Sequence, residues 1–145
     1  MSDSNIINQF ITAAGKGDEN TVRSLLLTSQ VNINDKNKYG WTALINAAFD
    51  SNESMVSLLI DKGADINMKN KYGGTTVLMS AVINKHKSMV SLLIDKGADI
   101  NMRDIFGSTV LIIAANQSNE SIVSLLIDKG ADINMKINNV SDIAF

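Results

Sequence analysis

Ser57-Leu58-Leu59-Ile60-Asp61-Lys62-Gly63-Ala64-Asp65-Ile66-Asn67-Met68 decides how this chain is read. The stretch returns almost unchanged as Ser91 to Met102 and again as Ser124 to Met135. Gly63, Gly97 and Gly130 lie 34 and 33 residues apart, and a constant period of that length marks an array of stacked units. Within the stretch, Leu58 and Leu59 join Met55 and Val56 at helical spacing, so Glu53 to Asp61 reads as an amphipathic helix. Ser51 or Asn52 is placed to cap its start, and Gly63 to end it in the left-handed conformation, with Lys62 beside the negative helix end.

Upstream, Asn37-Lys38-Tyr39-Gly40-Trp41 is a polar and aromatic turn, and Thr42 to Ala48 reads as a shorter helix. Its paired Ala47 and Ala48 allow a neighbouring helix to approach closely. The same order recurs as Tyr72-Gly73-Gly74, Thr76 to Ala81 and Ser88 to Gly97, then as Phe106-Gly107, Thr109 to Ala115 and Glu120 to Gly130. The third unit carries one extra residue between Tyr72 and Thr76, which predicts a bulged turn, since an insertion there costs little loop entropy.

At the N-terminus, Ile6, Ile7, Phe10, Ile11 and Ala14 predict a helix broken by Gly15-Lys16-Gly17. Asp18 then caps a second helix with a stripe of Val22, Leu25 and Leu26. The resulting units are 1–34 (a capping unit), 35–68, 69–102 and 103–135, with 136–145 a truncated or degenerate fifth. In that tail either Asp142 takes the threonine slot or Ser141 to Ala144 forms a reduced capping helix, and both alignments stay open. An incompletely capped end would leave Ile122, Val123, Leu126 and Ile137 as a self-association face.

Composition narrows the function classes. Of 145 residues, 45% are hydrophobic and 19% charged, a globular balance, and the net charge is −2. Acids and bases are interspersed, which argues against a nucleic-acid surface. The chain has no cysteine and one histidine, His86, so Ser-His, Cys-His and thiolate-metal sites are unavailable. His86 stands between two lysines and reads as a solvated residue, and no cofactor or metal is expected. Asp61, Asp95 and Asp128, with Asp65, Asp99 and Asp132, recur at helix ends and turns, where capping and pairing with Lys62, Lys96 and Lys129 explain them. Asn52-Glu53-Ser54 and Asn119-Glu120-Ser121 match a glycosylation sequon but read as helix caps. No secretory signal or membrane-length apolar run is visible, so a cytoplasmic location is expected.

Gly-x-Thr-x-Leu, Ala-Ala, Val-x-x-Leu-Leu and Gly-Ala-Asp-Ile-Asn together resemble the ankyrin repeat over roughly Ala13 to Met135. The resemblance implies an all-α repeat solenoid of stacked helix-turn-helix units, each with a β-turn or hairpin finger. The family's Thr-Pro-Leu-His appears here as Thr42-Ala43-Leu44-Ile45, Thr76-Val77-Leu78-Met79 and Thr109-Val110-Leu111-Ile112. With no proline anywhere, each unit forgoes about 0.4–1 kcal/mol of restriction on the unfolded chain.

The resemblance also implies a non-catalytic module that grips a protein partner with its fingers and the exposed ends of its inner helices, a concave surface. Carried onto this chain, the finger residues are Lys38, Tyr39, Trp41, Lys71, Tyr72, Thr75, Arg103, Ile105, Phe106 and Ser108. The inner-helix ends are Phe49, Asp50, Ile83, Asn84, Asn116 and Gln117. Aromatic residues at such positions dominate interface energies, although Tyr39, Tyr72 and Phe106 equally suit packing over a neighbouring finger. Trp41 has no counterpart in other units and is the stronger contact candidate. The finger lysines favour an acidic partner. A monomer is expected, with a targeting fragment of a larger protein or a self-associating repeat unit as alternatives.

Overall fold

The computed structural model describes residues 3–136. Those residues form eight helices in four antiparallel-connected pairs. They are α1 (Ser4–Lys16), α2 (Glu19–Leu27), α3 (Ala43–Phe49), α4 (Glu53–Asp61), α5 (Val77–Ile83), α6 (Lys87–Asp95), α7 (Val110–Asn116) and α8 (Glu120–Asp128). The odd-numbered helices pack in sequence, α1 on α3, α3 on α5 and α5 on α7, to make an inner row, while the even-numbered helices back them. Between pairs the chain forms turns, and no strand is present among the described residues.

Three of the four inner helices, α3, α5 and α7, begin the same way, whereas α1 is capped by Asp3. Thr42, Thr76 and Thr109 are buried, and each hydroxyl accepts a hydrogen bond from the amide three residues on, at Ile45, Met79 and Ile112. This satisfies one of the donors a helix start leaves free. Ile45 and Met79 are themselves buried, so apolar packing occupies the place the family gives to histidine. In the outer row, Asn52 and Asn119 cap α4 and α8 through their side chains. Ser51 is not the cap; it takes the left-handed turn at φ 60°. At α2 the cap is Asp18, whose carboxyl is held below its usual value chiefly by the Thr21 hydroxyl and then by the Thr21 amide.

Some details depart from the sequence reading. Gly15 does not break α1, which continues to Lys16 and stops at Gly17 with φ 75°. Gly15 leaves room for the next unit instead: a Cβ there would lie 2.5 Å from Asn46 Nδ2 and 2.7 Å from Asp50 Oδ2. Leu25, Leu26 and Leu58 are only partly buried, because the outer helices have one backed face. In the fourth unit, Ile122 and Leu126 are buried, so they form no open face. Val123 is partly exposed, and Ile137 lies outside the described residues. Other positions open up there: Leu44 and Leu78, Ile45 and Met79, Ala48 and Val82, and Val56 and Val90 are buried, whereas Leu111, Ile112, Ala115 and Val123 are partly or fully exposed. The difference is a neighbour on the far side, which the fourth unit does not have among the described residues.

The repeated loop stretch carries the link between units. The side-chain oxygen of Asn34 accepts from the Asp65 amide at 2.8 Å, Asn67 from Asp99 at 2.8 Å and Asn101 from Asp132 at 2.9 Å. Each aspartate turns its carboxylate to the amide two residues ahead in its own loop, at Asn67, Asn101 and Asn134. The helix-end charges also pair between units rather than within them, Lys96 with Asp61 at 3.1 Å and Lys129 with Asp95 at 2.6 Å. Leu27 stands in the corresponding place of the first unit, exposed beside Lys62.

Asn67→Ala removes one inter-unit bond and is expected to lower unfolding stability by about 0.5–1.5 kcal/mol. Asn134→Ala, whose side chain holds no following loop among the described residues, is expected to change it little. Urea denaturation of the two variants measures the difference.

Candidate functional site

The fingers are closed by backbone bonds across the turn. Asn37 N–H donates to the Trp41 carbonyl at 3.0 Å, and Asp104 N–H to Ser108 at 3.0 Å. In the third unit the bond runs from Asn70 to Thr75, one residue longer, and the surplus falls at Gly73, φ 149°, so the bulge expected there is present. The turn-opening side chains Asn37, Asn70 and Asp104 accept amides within their own fingers. Successive fingers touch. Ile105 N–H donates to the Gly73 carbonyl at 3.0 Å, and a Cβ on Gly40 would lie 2.5 Å from the Lys71 amide nitrogen.

On this frame the aromatic residues separate into two groups. Trp41 lies edge-on to Phe49, ring centres 5.3 Å apart at 78°, a favoured aromatic geometry. With Tyr39, Asp50, Asn37, Asn46, Ile11 and Thr12 they line an open hollow of about 300 Å³ between the first two units. Four expected residues, Tyr39, Trp41, Phe49 and Asp50, are thereby brought together. Ile11 and Thr12 come from α1, which no finger precedes among the described residues, so no repeat position pointed to them. Asn46 reaches the hollow while donating to the Ile11 carbonyl at 2.9 Å.

The second group is the finger row. Lys38 Nζ sits 5.0 Å from the Tyr39 ring centre and Lys71 Nζ 5.5 Å from that of Tyr72, both cation–π distances. The Tyr72 hydroxyl donates to the Lys38 carbonyl at 3.3 Å, tying one finger to the next. Ile105 and Phe106 follow, both exposed. Ile83, Asn84 and Asn116 are exposed along the inner-helix ends.

Two expected residues turn out to be engaged within the stack. The Arg103 guanidinium donates to the Gly107 carbonyl at 2.7 Å and also to the Lys136 carbonyl, bracing its own finger against the following segment. Gln117 Nε2 donates to the Ile83 carbonyl at 3.0 Å, joining the ends of α7 and α5. His86 is half-buried rather than solvated. It takes the place of Asn52 and Asn119 at the head of α6 without making their cap bond, and Nε2 lies 3.2 Å from the Ser88 hydroxyl. Among the described residues no group of three His, Cys, Asp or Glu is placed to hold a metal, and no helix is long and apolar enough to cross a membrane.

Four helix pairs at a period of 33–34 residues, threonine-capped inner helices and finger turns stacked in register answer to one family. The chain belongs to the ankyrin repeats. A family model of three ankyrin-repeat copies matches residues 10–104 and 70–137. No curated protein matches the chain. Ankyrin repeats generally mediate protein–protein interaction, and their domains are typically non-catalytic.

The two kinds of positive-φ glycine in this ankyrin-repeat chain separate experimentally. Gly63, φ 97°, has no neighbour within 4 Å of a built Cβ, so Gly63→Ala is expected to lose about 1–2 kcal/mol from backbone strain alone. Gly40→Ala adds the collision with Lys71 and is expected to lose clearly more, with broadened finger resonances by NMR.

Proposed function

We propose that this chain is a non-catalytic adaptor that binds a protein partner through its fingers and the finger-side ends of its inner helices. One observation carries the reading: the Trp41–Phe49 pair walls an open hollow at the junction of finger and inner helix, beside exposed Tyr39. Burying rings of this size against water is worth several times more than an average surface contact, and truncating such residues at interfaces commonly loses about 2 kcal/mol or more. The outer helices offer no matching aromatic cluster among the described residues.

Affinity capture tests the reading with the wild-type chain, Trp41→Ala/Phe49→Ala and an outer-surface control, Leu27→Ala/Lys62→Ala, each checked for folding by circular dichroism. The captured partner is expected to persist with the control and to be lost, by roughly 30-fold in affinity, with the aromatic variant. Equal recovery by all three chains removes the assignment to this surface.

The uncovered Leu111, Ile112, Ala115 and Val123 support a second reading, self-association through the fourth unit. Sedimentation equilibrium is expected to show a concentration-dependent mass that Val123→Glu abolishes; a constant monomer mass at high concentration eliminates this reading.

A further inference from the structure

We infer that the occupant of the finger row is an extended acidic segment, with two carboxylates three residues apart and a bulky apolar side chain three residues further on. The inference rests on the finger row being the binding surface and names the chemistry that surface selects.

The first ground is the state of the finger cations. On the outer side, Lys96 and Lys129 are paired with Asp61 and Asp95, while Lys62, Lys85 and Lys87 lie over no aromatic ring among the described residues. On the fingers, Lys36, Lys38, Lys69 and Lys71 are exposed, and none pairs with a carboxylate among the described residues. The acids nearest in sequence are engaged by backbone amides instead: Asp35 accepts the Asn32 amide, and Asp65 accepts that of Asn67. The fingers therefore present positive charge whose complement has to come from outside the described surface.

The second ground is the spacing and order of the fingers. Packed helices lie about 8–10 Å apart, and an extended chain advances about 3.3 Å per residue, so one finger corresponds to about three ligand residues. Lys38 and Lys71 occupy the same slot in the second and third units, each with its ammonium laid over an exposed tyrosine. The fourth unit puts Ile105 and Phe106 in those slots, 68% and 70% exposed. Two basic-aromatic fingers are thus followed by an apolar one, a pattern that reads carboxylate, carboxylate, apolar along one strand of ligand.

Selection from a library of random linear peptides on the wild-type chain tests this, with binding of the enriched peptides followed by the fluorescence of Trp41, the chain's single tryptophan. Enriched peptides are expected to carry the acid-x-x-acid-x-x-apolar pattern. Their affinity is expected to fall by about tenfold or more with Lys38→Glu/Lys71→Glu, and to weaken as salt rises. Phe106→Ser is expected to weaken only peptides that carry the apolar residue. Enrichment of peptides without paired acids, or binding insensitive to both salt and charge reversal, overturns the inference. The binding-surface reading survives that result if the same peptides are lost with Trp41→Ala/Phe49→Ala, and falls with it if they are not. A selection that enriches nothing also overturns the inference.

Discussion

Each of the first three units has its helices completed by the next. Leu44 and Leu78 are buried because a further inner helix lies against them, while Leu111, at the same position in the fourth unit, is partly exposed. An apolar side chain gains about 1.5–3 kcal/mol by leaving water, so the neighbour supplies much of what holds a unit together. The other recurring features serve that contact. Ala47 and Ala81 are small where inner helices meet, and Gly15 is bare where Asn46 and Asp50 approach.

Burial between helices is not directional enough to set the register of the loops, and polar bonds do that. The Asn34, Asn67 and Asn101 side chains each take an amide from the following loop, closing one bond per junction. Gln117 performs a related task at the helix ends, and the Ile105–Gly73 bond does so at the fingers. Each is worth about 1 kcal/mol, and their value lies in holding the fingers at a common spacing. A ligand laid along the row meets chemically distinct fingers at regular intervals only because of it.

The stack consequently has two unlike sides. The outer row pairs Lys96 with Asp61 and Lys129 with Asp95 from unit to unit, and its helices carry no aromatic ring among the described residues. The finger row uses its carboxylates to shape turns and leaves its lysines and aromatic rings outward. Two finger cations are also engaged by the stack: the planar guanidinium of Arg103 bridges two carbonyls, and the Lys36 ammonium donates to the Lys69 carbonyl at 3.2 Å.

Much of the fold was legible in the residues. The period, the asparagine caps, the span of α4 and the bulge in the third finger all follow from local rules, because each depends on residues a few positions apart. The family resemblance pointed to the finger positions, and the lack of a counterpart in other units already set Trp41 apart from Tyr72. The pairing of Trp41 with Phe49 over a hollow and the bond from Tyr72 to the previous finger came only with the tertiary structure. What the sequence by itself determined is the unit: its helices, its turns and its length. What only the tertiary structure decided is every relation between units, including the part α1 plays in the hollow, the reach of Asn67 and Gln117, and the engagement of Arg103. Those contacts join residues more than thirty positions apart, and their geometry depends on how one unit is set upon the next, a quantity that no local pattern encodes.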